Sequence, residues 1–485
     1  MTLARQAGRG ALWQVAGGGW ITIVRLGASV FLARALTPAD YGVFGMAILM
    51  RELIEHLGNV GGLSSGLIAR KDASDEDICT CFWLMAALRV VFFLAAFSCA
   101  PIGGWFFNDP RVVDVARVIS LTILFSIFGG ISQTLLIKEL RFKEINIARG
   151  IFVLLESSLA VLLALNTDWG YWVLVIAGLF NAFFTQLTFF LLARWWPRFK
   201  FNRESFHYLF RYGINGLGAG MANYLRQNLD YLLVGRLLGT ASLGIYEFAY
   251  RIPHLVLERI ARPVGAVLYP ALSQVQDDNS QLIRGYVKTV KYICLVTFPL
   301  LFGLAAVADI AVPVFWGEQW LSAVTPLRIL CLCAALRMVP QPLRAIFYSK
   351  NRPDLQFKFS LFGLIWTAIA IGVLGNLFGL IGVAAGMVLS VIVEYIALII
   401  AFKLVKGKLI VLLDAVLPIY LCAAICGLGA FAISKLFQEI GMPNGVVLLV
   451  SVAIGGGVYI MSLYLLYPNV FKEAWKSGKE ISGIR

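Results

Sequence analysis

Apolar runs of 18 or more residues recur from one end of this 485-residue chain to the other. Each is long enough to cross a hydrocarbon core of about 30 Å. No water reaches the backbone there, so every N–H and C=O must pair within its own segment, and single spans of this length fold as helices. Fourteen are expected, over 11–36, 41–68, 79–104, 113–137, 145–165, 170–194, 210–238, 243–271, 287–308, 321–347, 357–378, 380–402, 411–434 and 445–467. The composition agrees, at 60% hydrophobic and 14% charged, where soluble domains run near 25% charged. The first run lacks a small-residue cleavage site and is read as a retained helix, not a signal peptide.

Charges between the spans set a topology. Alternate loops are basic, carrying for example Lys138, Arg141 and Lys143, then Arg194, Arg198, Lys200 and Arg203, then Lys350 and Arg352, then Lys403, Lys406 and Lys408. The intervening loops hold only Arg111 and Lys435. A missed helix would scramble this alternation, so both termini are placed in the cytoplasm. Trp105, Trp169, Trp172, Trp316 and Trp320 are expected at the outer interface, and Trp195 and Trp196 at the inner one. The net charge of +14 follows from this pattern and does not call for nucleic acid. The eight cysteines lie in or beside apolar segments with no nearby His, so neither a metal site nor an oxidising compartment is implied. No cofactor is expected.

Two stretches repeat, 25–49 and 226–251. At a constant offset of 202, Arg34 falls on Arg236, Leu36 on Leu238, Ala39 on Ala241, Gly42 on Gly244 and Ala47 on Ala249. Six spans separate the copies, an even number, so both have one orientation. That predicts an all-α protein of two six-helix lobes, 1–200 and 201–410, related by a pseudo-twofold along the membrane normal. The last two spans, with the tail 411–485, fall outside the repeat.

These repeated phrases, LAR-L-T-P-A-D-Y-G and VGR-L-L-G-T-A-S-L-G-I-Y-E-F-A-Y-R, carry a family resemblance, as do Lys138–Asn146 (KELRFKEIN), Leu268–Asp278 (LYPALSQVQDD) and Val312–Trp320 (VPVFWGEQW). The chain resembles Wzx-type polysaccharide flippases of the polysaccharide transport family, nearest to colanic-acid-type exporters. These stand in the MOP superfamily beside MATE transporters and the lipid II flippase. The resemblance implies an inner-membrane protein that turns undecaprenyl-diphosphate-linked oligosaccharide from the cytoplasmic to the periplasmic leaflet, for exopolysaccharide or O-antigen export. Membrane lipid, and a polysaccharide polymerase with other assembly proteins, are the further partners it suggests.

An independent reading starts from cost. An Arg or Asp at a helix centre costs about 2.5–3.5 kcal/mol. Arg25, Arg51, Glu52, Glu55, His56, Arg89, Glu156, Arg226, Asp230 and Glu394 all lie within spans, so they must face one another, water or a ligand. Arg51–Glu55, Glu52–His56, Arg226–Asp230, Glu247–Arg251 and Glu258–Arg262 are spaced i,i+4, adjacent on one helix face. Repeat geometry sets Arg25 one position from the equivalent of Arg226. A guanidinium fork binds phosphate oxygens bidentately, so Arg25, Arg51, Arg89, Arg226 and Arg251 are candidate ligands for a diphosphate. For the Arg51 cluster, a structural salt-bridge role is equally open. Arg34 and Arg236 sit at helix C-termini, where snorkelling and the helix dipole account for them. No Walker sequence occurs, so the chain does not itself use ATP. Coupling to H+ or Na+ through Asp230, Glu55, Glu247 or Glu394 is the alternative, with Asp230 held ionised by Arg226 as the competing view. A MATE-like ion-coupled exporter and a membrane polymerase or ligase are the rival functions. Only the last would be an enzyme, and no extramembrane catalytic set supports it.

Overall fold

Two glycine pairs at helix crossings bring backbone against backbone among the described residues. A Cβ built on Gly42 would lie 1.8 Å from the Thr240 carbonyl oxygen, and one on Gly244 would lie 1.9 Å from that of Pro38. Pro38 and Thr240 are themselves repeat mates, like Gly42 and Gly244. The contact is therefore reciprocal, each copy offering a carbonyl to the other's glycine, the self-complementary pattern of a local twofold. The second example lies near Gly379 and is described below.

The computed structural model describes residues 3–57, 60–70, 73–468 and 470–472. Among these no strand occurs. The helices are α1 (Leu3–Ala35), α2 (Pro38–Leu57), α3 (Val60–Ala69), α4 (Asp75–Phe107), α5 (Arg111–Lys138), α6 (Phe142–Asn166), α7 (Trp172–Ala193), α8 (Arg203–Val256), α9 (Arg262–Ser273), α10 (Asn279–Trp316), α11 (Val324–Met338), α12 (Arg344–Ser349), α13 (Pro353–Leu404), α14 (Leu409–Glu439) and α15 (Asn444–Leu466). Among the described residues, eleven helical stretches are long and apolar enough to cross a membrane; the chain is a multi-pass membrane protein.

The fourteen expected spans map onto these helices with four local differences. Span two is described as α2 and α3, on either side of residues 58 and 59, which lie outside the described residues, and span ten is assembled from two 3-10 turns, α11 and α12. Spans seven and eight run together in α8, where Gly239 (φ 81°, ψ −176°) interrupts the helical backbone. After Pro253 a π-helical segment, Leu257–Ala261, leads into α9. Spans eleven and twelve form α13, whose 52 residues would reach about 78 Å if straight. Instead Gly379 (φ 58°, ψ −138°) turns the chain back. A Cβ on Gly382 would meet the Leu374 carbonyl oxygen at 1.8 Å, and one on Gly386 would meet Ala370 at 3.0 Å. Trp366 Nε1 donates to the Leu389 carbonyl at 3.0 Å. These partners step in opposite directions, so α13 is an antiparallel hairpin.

Helix starts are written locally. Pro38 opens α2 at the position where a missing N–H costs nothing. Before it, Thr37 donates through its N–H (2.9 Å) and hydroxyl (2.6 Å) to Asp40, whose own N–H returns to Thr37 Oγ1 at 3.3 Å, a capping box. The other Asp40 oxygen accepts from the Tyr171 N–H at 3.0 Å, tying this start to that of α7. Ser74 and Asp77 form the same box before α4. Asp77 also accepts from the Ser205 hydroxyl and pairs with Arg70 at 3.2 Å.

The chain divides into two compact units, Met1–Gly244 and Ile245–Arg485. In the first, α5 packs on α4 and α7, α2 lies against α4 and α5, and α1 rests on α6. Leu63, Leu67, Phe82, Met85, Ile131 and Leu209 share one core, which secures the start of α8. In the second unit α10 is central, flanked by α11, α14 and α15. Val307, Ile310 and Ala311 meet Ala430, Val447 and Leu448 there, and Tyr459 donates to the Leu295 carbonyl at 2.9 Å. Trp320, expected at the interface, is instead buried with its ring stacked on Phe248 at 4.5 Å. The two exceptions to the loop-charge pattern are both neutralised: Arg111 pairs with Asp109 at 2.7 Å and Lys435 with Asp309 at 3.0 Å. Burial works against the Asp109 charge, yet the hydrogen bonds from Arg111 hold its carboxyl below the usual carboxylate range.

Gly42→Ala and Gly244→Ala each force a methyl into backbone and should cost about 3 kcal/mol, the upper part of the overpacking range. Thermal unfolding in detergent reads this directly. Gly19→Ala, with nothing within 4 Å of the added carbon, should leave the transition unchanged or raise it. Asp77→Ala strands Arg70 and Ser205 and should lower stability by about 3 kcal/mol in the same assay.

Candidate functional site

The mid-span charges fall into separate groups, each built from the i,i+4 faces of its helix and whatever polar group the neighbouring helix presents. On α2, Arg51 is gripped from three sides. Its Nη1 lies 3.5 Å from Glu55 and donates to Thr122 Oγ1 of α5 at 3.2 Å, while Nη2 lies 3.5 Å from Glu52. Glu55 is also within electrostatic reach of Arg89 on α4. His56, expected to face the Glu52 carboxylate, instead contacts the Glu52 backbone oxygen through Nδ1 at 2.9 Å. Its ring lies 5.0 Å from that of Tyr224 on α8, whose hydroxyl donates to the Leu49 carbonyl at 2.6 Å. Two carboxylates thus pair with Arg51, and these contacts tie α2 to α5 and α8.

Arg25 is held differently. Its Nη2 lies 3.5 Å from Glu156 of α6, with 51% of the Arg25 side chain exposed against 22% for the acid. Glu156 Oε2 accepts from Asn181 Nδ2 at 2.9 Å, and Asn181 Oδ1 accepts from Thr185 at 2.9 Å, both on α7. A sheltered acid, itself oriented by an amide and a hydroxyl, therefore aims a half-exposed guanidinium with donors to spare. Arg226 is exposed on α8. Asp230, one turn further on, is 5% exposed.

The remaining candidates lie in the second unit. Glu247 and Arg251 are half-buried on α8. Glu394 of α13 pairs with Arg337 of α11 at 3.6 Å, and Arg337 also donates to Ser390 at 2.8 Å and to the Tyr250 hydroxyl at 3.5 Å. Tyr250, His254, Cys333 and Arg337 line a small cavity with room for about one water, roughly 10 Å³. His254 lies 3.5 Å from Glu258; the expected pairing of Glu258 with Arg262 falls on a side chain outside the described residues.

Arg236 caps a helix, donating to the carbonyls of Trp105 (3.2 Å) and Phe106 (2.5 Å) and to Asn108 Oδ1 (3.3 Å) at the end of α4. A cation there complements the dipole. Sequence reasoning passed over Arg337, and also Arg328, which pairs with Asp309 at 3.1 Å. Both sit inside an expected span, so the cost argument that flagged Arg25 would have found them. Among the described residues no His, Cys, Asp and Glu gather as a metal site.

Teichuronic acid biosynthesis protein TuaB of Bacillus subtilis (strain 168) is 26% identical over 493 aligned residues, covering 99% of each chain. Lipopolysaccharide biosynthesis protein WzxC of Escherichia coli (strain K12) is 27% identical, over 82% of this chain and 80% of its own. Among solved structures, the lipid II flippase MurJ in an inward closed conformation matches with a TM-score of 0.76 at 15% identity, over 95% of this chain and 99% of that one. An inward-facing MATE multidrug transporter of the MOP superfamily matches with a TM-score of 0.62 at 15% identity, over 80% and 94%. The fold is that of MOP transporters. A family model described as polysaccharide biosynthesis protein matches residues 31–325, and the chain belongs to that family.

Proposed function

We propose that this chain flips an undecaprenyl-diphosphate-linked oligosaccharide from the cytoplasmic to the periplasmic leaflet of a bacterial inner membrane by alternating access, supplying cell-surface polysaccharide export. The observation that carries this is Arg25: a mid-span guanidinium anchored on one side by Glu156 and exposed on the other. A lipid diphosphate brings the anionic oxygens such a fork recognises, and its sugars require the water that an exposed cation also requires. Arg226, exposed on α8, is the second proposed ligand, with Arg51, Arg89 and Arg251 as further candidates. The names of the relatives, teichuronic acid, lipopolysaccharide and succinoglycan proteins, favour polysaccharide cargo. H+ or Na+ would act through Asp230, Glu55, Glu247 or Glu394, and a polymerase would take the product.

A MATE-like exporter of small cations is the second reading, favoured only by the shared fold. Arg25, Arg51, Arg89 and Arg226 would repel such cargo.

In a strain dependent on this protein, Arg25→Ala and Arg226→Ala should each cut surface polymer about 10- to 100-fold at unchanged membrane protein level, the loss of a charged hydrogen bond worth about 1.5–3 kcal/mol. Glu156→Gln should weaken export less, because the fork survives without its anchor. Arg51→Ala should instead reduce the amount of folded protein. Wild-type polymer from both arginine variants would defeat the assignment, and drug resistance with normal polymer would favour the exporter.

A further inference from the structure

Between α7 and α8 the chain runs as a strap, residues 194–203, of sequence RWWPRFKFNR, with four cations and no acid. It is a fixed element. α7 stops at Arg194 in a left-handed conformation, φ 50° and ψ 29°. Trp83 Nε1 donates to the Arg198 carbonyl at 3.0 Å, and the Trp83 ring stacks on Phe199 at 4.6 Å. The Asn202 N–H donates to Thr80 Oγ1 at 2.8 Å, and Trp195 Nε1 to Asp75 at 3.2 Å. The strap is thus laid along the first turns of α4.

What it presents outward belongs in neither water nor hydrocarbon. Trp196, Phe199 and Phe201 are 67%, 92% and 65% exposed, beside charges that acyl chains exclude. Arg198 is offset by Asp75 at 3.7 Å and Lys200 by Glu76 at 3.8 Å. Arg194 and Arg203 make no ion pair among the described residues. Helices α4, α7 and α8 all end at this point, so the bilayer surface runs alongside. Aromatic rings flanked by cations fit the headgroup boundary, and the unbalanced charge selects the sign of the headgroup.

We propose that the 194–203 strap is a binding site for anionic glycerophospholipid, with its three exposed rings at the headgroup boundary and Arg194 and Arg203 on the phosphates. This goes beyond the transport reading and does not depend on it.

The test uses the full chain in bilayer discs containing equal phosphatidylglycerol and phosphatidylcholine, with the photoreactive residue benzoylphenylalanine replacing Phe199. A second protein carries it at Ile369, a 53% exposed position in α13. Position 199 should give phosphatidylglycerol adducts in about 25-fold excess, about fivefold for each unbalanced cation, and position 369 should give both lipids equally. Arg194→Gln with Arg203→Gln should return the ratio at 199 towards parity. Asp75→Asn with Glu76→Gln should raise it, by unmasking Arg198 and Lys200. Equal ratios at the two positions, or no lipid adduct at 199 while 369 reacts, would overturn the proposal. So would adducts at 199 only to protein in native membranes, which would assign the strap to a cytosolic partner.

Discussion

A charge placed in hydrocarbon costs about 3 kcal/mol unless something receives it, and this one constraint organises the interior of both units. In the first, Arg51 pairs with Glu52 and Glu55 on α2, with Thr122 of α5 taking a further donor. In the second, Arg337 and Glu394 do the same across α11 and α13. Removing one member leaves its partner uncompensated, so these clusters fix helix positions as firmly as apolar packing does. Arg25 departs from the pattern: its partner Glu156 is the sheltered member, and the guanidinium is left half outside.

Lipid offers little hydrophobic drive between helices, so close approach must come from small residues and polar ties. The Gly42 and Gly244 contacts show the first, bringing backbone against backbone where any side chain would intrude. The Asp40 bridge to Tyr171 and the grip of Asp77 on Arg70 and Ser205 show the second. These polar ties lie near helix ends, whereas the cancelled charge clusters lie within spans. Along α14 and α15 the polar ties recur, with Lys435 and Tyr459 binding them to α10.

Much of this was legible from residue order. Spans, caps and turns are local matters: a run of apolar residues, Thr37-Pro38 before α2, or Gly379 between two spans each carries its own physical reason. The family phrases and the repeat were equally visible, and Gly42 with Gly244 could be paired by counting. Spacing also identified Arg51 with Glu55, because i,i+4 neighbours share a helix face. It failed where the true partner came from another helix. Glu156 and Arg25 stand 131 positions apart, and Glu394 and Arg337 stand 57 apart; no local periodicity links such residues. His56 misled for a related reason, its nitrogen finding a backbone oxygen that every residue possesses.

Residue order by itself determined an all-helical, multi-pass chain built on a repeat and carrying more charge inside its spans than lipid accepts. Only the tertiary structure decided which charges pair across helices, that Trp320 is packed away, and that the 194–203 strap is fastened to α4. The reason is that helix formation in a bilayer is settled within about twenty residues, by backbone pairing alone. The partner of a buried charge is chosen by which helices meet, and that depends on the whole unit at once.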